Sequence, residues 1–84
     1  MITAGQLRAS RALLGIDQRK LAEHAGLSLP TIQRMEASEG VIRGTVDSLM
    51  KLAAALDALG VDLLPDNAAS QGGGRGVRLK RAGP

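Results

Sequence analysis

Residues 17–36 read DQRKLAEHAGLSLPTIQRME, and this stretch decides the fold. Asp17 is a good N-cap for a run of helix-forming residues that ends at Gly26 after about two turns. Ser28 can cap a second run, in which Pro30 is tolerated because the first-turn amides have no partner within the helix. A short turn that contains glycine sets two helices at a steep angle. The stretch therefore predicts two joined helices, over residues 18–25 and 29–37.

A longer amphipathic helix is predicted on each side of this pair. Thr3 and Gln6 have the spacing of a capping box, and Gly15 can end the helix that they begin. Further along, Thr45 can cap a helix that stops at Gly60. Its apolar residues recur at helical spacing: Leu49, Leu52, Ala53, Leu56 and Leu59. These two helices are predicted over residues 3–14 and 45–59.

Beyond Gly60 the pattern changes. Residues 61–64 are short and apolar, and residues 76–81 alternate apolar and polar side chains as strands do. The segment 66–75 is rich in Gly, Ala, Ser and Asn and is predicted to be a loop. Residues 61–64 also fit the remnant of a fifth helix. The predicted fold is an all-α bundle of four to five helices with a short C-terminal β-strand or hairpin, divided into a helical domain over 1–60 and a tail over 61–84.

The composition excludes several functional classes. The chain has 84 residues with no Cys, no aromatic residue and one His, so it fits one domain and has no ligand cluster for a transition metal. Without aromatic stacking platforms for single strands, a nucleic-acid partner is expected to be duplex. Ser, Asp and His24 show no nucleophile pattern. We therefore expect neither an enzyme nor a cofactor.

Charge and hydropathy indicate a mildly basic protein outside the membrane. The net charge is +3, with the basic excess toward the C-terminus. The N-terminus has no charged region followed by an apolar one, and no apolar run approaches the roughly 18 residues of a membrane span. We expect a cytoplasmic protein associated with the nucleoid.

Residues 15–36, preceded by LRASRALL at 7–14, resemble the Cro/repressor-type helix-turn-helix family, also called the XRE family. The matching features are Gln at the start of the second helix, Leu-Ala inside it, Ala-Gly-Leu-Ser at the turn and Thr-Ile near the start of the third. The resemblance covers roughly residues 3–59. It implies a lambda-repressor-like fold and a dimer that docks its third helix in the major groove of a near-palindromic operator in double-stranded DNA.

The resemblance also implies the contacts with DNA. The residues expected to face base edges are Leu29, Pro30, Gln33 and Arg34. Their chemistry fits, since Arg can bond guanine with two hydrogen bonds, Gln can pair with adenine, and apolar side chains can pack on a thymine methyl. The residues expected to contact phosphates are Gln18, Ser28, Thr31, Arg43 and Thr45. Arg11 lies on the inward stripe of the first helix and Glu36 follows Met35, so we expect these two charges to form an ion pair.

Two functions from different classes stay open. The first is a homodimeric transcriptional repressor, in which the tails of two copies form a small intermolecular sheet. The sheet is expected between copies because an isolated two-stranded ribbon is only marginally stable and the intervening loop is long for a hairpin. Its dimerisation residues are predicted to be Val61, Leu63, Val77 and Leu79. The alternative is an antitoxin-type protein, whose helix-turn-helix autoregulates while its tail binds a protein partner.

Overall fold

The computed structural model describes residues 2–64 and 76–80, which form four helices and a two-stranded sheet. The elements are α1 (Ala4–Leu14), α2 (Gln18–Ala25), α3 (Leu29–Glu36), α4 (Val46–Ala58), β1 (Val61–Leu64) and β2 (Gly76–Leu79). The predicted fold class is confirmed, with four helices and a C-terminal hairpin. Residues 61–64 form a strand instead of a fifth helix. The predicted loop over 66–75 lies outside the described residues.

The helices begin and end where the capping residues stand. Thr3 Oγ1 accepts a hydrogen bond from the backbone N–H of Gln6 at 3.0 Å, and the Thr3 N–H donates to Gln6 Oε1 at 2.9 Å. Gly15 and Gly26 end the first two helices with φ of 68° and 67°, a conformation that residues with a side chain rarely adopt. The N-caps of the other three helices are Asp17, Ser28 and Thr45.

The core is aliphatic and draws on every helix and on β1. Its large, fully buried apolar side chains are those of Leu7, Leu21, Ile32, Met35, Leu52 and Leu56. On α4 the predicted inward stripe is wrong at Ala53, which is exposed, because the buried face runs through Leu52, Ala55 and Leu56 at spacings of three and one. This leaves Ala53 on a second face of α4.

β1 and β2 pair with each other, antiparallel and within one chain. Val61 lies opposite Leu79, and Leu64 lies opposite Gly76. One chain therefore forms the sheet by itself, and the sheet between two copies stays a prediction. Its premise fails because the ribbon is not isolated, since both strands pack on helices of the same chain.

Gln6 fastens the hairpin to α1. Its side chain is buried, and its Nε2 donates to the carbonyl oxygen of Leu64 at 3.1 Å and to that of Gly76 at 3.0 Å. The capping pattern predicts Gln6 only as a partner of Thr3 and does not reveal these two bonds. One side chain therefore closes the start of α1 and joins it to both strands.

The four predicted dimerisation residues differ in exposure. Val61 belongs to the buried core, and Leu63 and Val77 pack against that core as partly buried residues. Leu79 is 49% exposed. In one chain, therefore, the tail residues mainly complete the hydrophobic core that the helices form.

Candidate nucleic-acid interface

The turn between α2 and α3 directs one face of α3 into solvent. The backbone N–H of Leu27 donates to the carbonyl oxygen of Ala22 at 3.0 Å, which closes the end of α2. Ile32 and Met35 then anchor the inner face of α3 in the core. On the outer face, Pro30, Gln33 and Arg34 are exposed and Leu29 is partly buried. Of the four predicted base contacts, three therefore present exposed side chains.

Arg34 is placed by a neighbour on its own helix. Its Nη2 donates to Thr31 Oγ1 at 3.4 Å, and the Thr31 hydroxyl shares a hydrogen bond of 2.8 Å with that of Ser28. A guanidinium has five N–H donors, so this long contact orients Arg34 and leaves donors for a base edge.

A basic cleft separates α3 from the N-terminus of α4. Its volume is about 510 Å³. It brings together two arginines and four hydroxyl-bearing residues: Thr31, Arg34, Ser38, Arg43, Thr45 and Ser48. The N-terminal end of α4 also contributes partial positive charge from the helix dipole. One predicted base contact and three predicted phosphate contacts therefore line a single cleft.

Gly44 allows the walls of this cleft to approach each other. A Cβ atom at Gly44 would lie 2.8 Å from Ser48 Oγ and 3.1 Å from Met35 Cε, which is too close without a shift of the neighbours. A larger residue here would require the side chains of Ser48 and Met35 to shift, so Gly44 eases the packing between the end of α3 and the start of α4. The sequence marks Gly44 as a loop residue and gives no sign of this contact.

Arg11 and Glu36 form the ion pair between α1 and α3. Arg11 Nε lies 2.5 Å from Glu36 Oε2, and Arg11 Nη2 lies 2.8 Å from Oε1. The Glu36 side chain is only 4% exposed and that of Arg11 is 23% exposed. The hydrogen bond from Glu36 raises the pKa of Arg11 above its ordinary value, against the opposing effect of partial burial. Both donors are charge-assisted and arranged as a fork, which fixes the angle between the helices.

Gln18 joins this pair from the start of α2. Its Nε2 donates to Glu36 Oε1 at 3.2 Å. A side-chain amide has two N–H donors, so one is committed to Glu36 and the other can reach an outside acceptor. Gln18 and Ser28 do not line the basic cleft, although the Ser28 hydroxyl is bonded to that of Thr31, which does.

Arg8 adds a contact that the sequence motif does not predict. Its Nη1 donates to the backbone carbonyl oxygen of Glu36 at 2.6 Å. This carbonyl lies at the C-terminal end of α3, where a cation is favoured by the helix dipole. Arg8 and Arg11 are three residues apart on α1, a spacing that could have indicated a shared target.

Residues 4–69 match the model of a family described as a helix-turn-helix domain. The match includes all four helices and β1, and the chain belongs to this family. It supports a DNA-binding regulator, in agreement with the exposed face of α3 and the basic cleft. No curated protein matches the chain. Within residues 2–64 and 76–80, no helix combines the length and the apolar character that crossing a membrane requires.

Proposed function

We propose that this protein is a Cro/repressor-type transcriptional regulator of the XRE family that binds an operator as a homodimer and represses transcription. The observation that carries the proposal is the basic cleft. In it, Arg34 on the exposed face of α3 stands beside Arg43 and Thr45 at the start of α4. A base-reading group and phosphate-binding groups are thus held on one surface.

Sequence reading is assigned to the outer face of α3. The major groove of B-DNA is about 12 Å wide and admits a helix whose side chains meet the base edges. Arg34 is suited to guanine and Gln33 to adenine, while Pro30 and the partly buried Leu29 offer apolar surface to a thymine methyl. The apolar pair favours methyl contacts and DNA shape over further hydrogen bonds.

Phosphate binding is assigned to the flanks of α3. Arg43 is exposed beside the first turn of α4, so its charge and the helix dipole attract the same anion. On the other flank, the second amide hydrogen of Gln18 is directed by the bond to Glu36. These contacts set the position of the protein on the duplex and carry no sequence information of their own.

The described part of the tail supports a structural role within one chain over the antitoxin-type alternative. That alternative rests on a tail that becomes ordered when a partner protein arrives. Residues 61–64 and 76–80 are instead held by Gln6 and by the core of the same chain. We therefore propose no second function. The proposed regulator has no catalytic role, needs no cofactor, and acts in the cytoplasm on the nucleoid.

Selection of binding sites from a pool of random duplexes tests the proposal. The purified protein should enrich one near-palindromic sequence, and single-stranded oligonucleotides of that sequence should not compete. Fusion of the enriched site to a promoter should give lower transcription when the protein is present. Recovery of unbiased sequences would contradict sequence-specific binding, and higher transcription would contradict repression.

A further inference from the structure

An apolar groove lies next to the basic cleft, on a neighbouring face of α4. Its volume is about 520 Å³. It is lined mainly by aliphatic side chains, among them Ile2, Ile42, Val46, Met50, Ala53 and Leu63. Val46 is 73% exposed and Met50 is 66% exposed, the highest values for large hydrophobic residues in the described part of the chain.

These exposed residues form a stripe along α4. Val46, Met50 and Ala53 follow each other at spacings of four and three, so they share one face of the helix. The buried stripe of α4, which contains Leu52 and Leu56, faces the core from a different side. α4 is therefore apolar on two faces, and the described residues cover only one of them.

We propose that the second face of α4 and the apolar groove bind a second copy of this chain. In the pairing that we infer, two α4 helices lie antiparallel across a two-fold axis close to Met50. The stripe of each copy then fills the groove of the other. Ala53 suits this arrangement because its small side chain allows the two helices to approach closely, opposite the larger Val46.

The charges beside the stripe favour a second copy as the occupant. Asp47 and Lys51 are both exposed and flank the stripe on one side, with Lys51 Nζ 3.2 Å from Asp47 Oδ2. In an antiparallel pair, Asp47 of each copy comes to lie near Lys51 of the other. The flank is therefore complementary to itself, as a two-fold interface requires, and it adds no net charge to a basic protein.

The position of the groove links this interface to DNA binding, and this part of the inference rests on the proposed function. Thr45 and Ser48 line the basic cleft, whereas Val46 and Leu49 line the apolar groove. The first turn of α4 thus belongs to both surfaces. Two copies joined at α4 would hold their two basic clefts side by side, which suits two half-sites on one duplex.

Sedimentation of the full chain without DNA, over a wide range of concentrations, tests the interface directly. We expect a dimer. Met50→Lys should raise the dissociation constant of the dimer at least about thirtyfold, which is the effect of losing one interface hot spot. Leu79→Lys and Leu13→Lys are the matched controls, since these leucines are 49% and 44% exposed outside the groove, and both variants should stay dimeric. Helical circular dichroism, and melting at concentrations where the wild type is monomeric, should stay unchanged in all three.

A charge exchange gives a second test that keeps the stripe intact. Asp47→Lys should weaken the dimer because it places a second positive charge near Lys51 of the other copy, and the double variant with Lys51→Asp should restore it. A wild-type chain that is monomeric at every concentration would overturn the inference. So would a dimer that Met50→Lys leaves intact, or one that Leu79→Lys dissociates.

The outcome can be separated from that of the proposed function. On a duplex with a single half-site, Met50→Lys should bind as the wild-type monomer does. On the full operator it should lose the cooperative gain. Failure of all variants to bind any duplex would contradict the proposed function and leave the sedimentation result to decide the interface.

Discussion

The helix pair α2–α3 and the hairpin β1–β2 are specified by different kinds of information. Each helix of the pair carries its own N-cap, and each cap acts on an amide three residues away. The hairpin depends on Gln6, which reaches Leu64 and Gly76 from the other end of the chain. The helix pair is therefore encoded locally, whereas the hairpin depends on contacts across the whole fold.

The largest expected effect is a loss of folding stability when the ion pair that holds the helix pair in place is removed. Glu36→Ala removes the buried partner of Arg11 and the acceptor of Gln18. Loss of one partner of a buried ion pair costs about 3 to 5 kcal/mol, and partial exposure of Arg11 lowers this to about 2 to 4 kcal/mol here. Chemical denaturation measures the change. Glu39→Ala, at an exposed position nearby, should cost less than about 0.5 kcal/mol. Equal stabilities for the two variants would contradict the role of the pair.

The second prediction breaks the hairpin without touching the helix pair. Gln6→Ala removes the side-chain half of the capping box and both bonds to the strands, and we expect a loss of about 1 to 3 kcal/mol. Amide hydrogen exchange should accelerate in β1 and β2 more than in α2 and α3. Gln33→Ala, at an exposed position, is the control and should leave the exchange unchanged. Uniform acceleration throughout the chain would show that the two regions unfold together.

The third prediction separates base reading from phosphate binding within the basic cleft. Arg34→Ala should relax base preference at one or two positions of each half-site, at a cost of about 1 to 3 kcal/mol for the preferred base. Arg43→Ala should weaken binding to all sequences alike. Arg78→Ala removes the same charge from the hairpin, where Arg78 pairs with Asp62 at 3.0 Å, and should do neither. Binding to a panel of single-base operator variants measures this, and an unchanged preference in Arg34→Ala would exclude this residue from base reading.

The smallest expected effect concerns salt. If a dimer neutralises about six to eight phosphates, the logarithm of the binding constant should fall against the logarithm of salt concentration with a slope of roughly −5 to −7. Arg43→Ala should make this slope shallower by about one unit per protomer, because each lost contact retains its counterion. Arg78→Ala should keep the wild-type slope. A slope near zero would contradict binding through the phosphate backbone.

How much of the molecule the sequence predicts follows from the same comparison. All four helices are found within one residue at each end, because capping residues and glycines mark their limits. The strands are also found, since alternation and turn residues are local signals. Their pairing within one chain is not predicted, because it depends on the distant Gln6. Ala53 is misplaced for a related reason, since periodicity gives the spacing of an apolar face and tertiary packing decides which face is buried.

The candidate interface shows the same division. The motif identifies Arg34, Arg43 and Thr45 one by one, but their meeting in one cleft depends on how α3 and the start of α4 pack, which the motif does not give. The contact from Arg8 to the end of α3 is also a product of how the helices cross. The second apolar face of α4 is not predicted because exposed and buried apolar residues look alike in a sequence.

The two hydrogen bonds from the Gln6 side chain to the strands have a consequence for how the protein folds during synthesis. The ribosome adds Gln6 early. The carbonyl oxygen of Gly76, which accepts from the Gln6 side chain, follows only after seventy further residues have been added. Until then the Gln6 side chain has no acceptor in β2, so the start of α1 cannot reach its final state before β2 has been synthesised. Contacts of such long sequence separation form slowly compared with local ones. The nascent protein should therefore complete its helical turns first and gain the contacts of the hairpin only after β2 has been added.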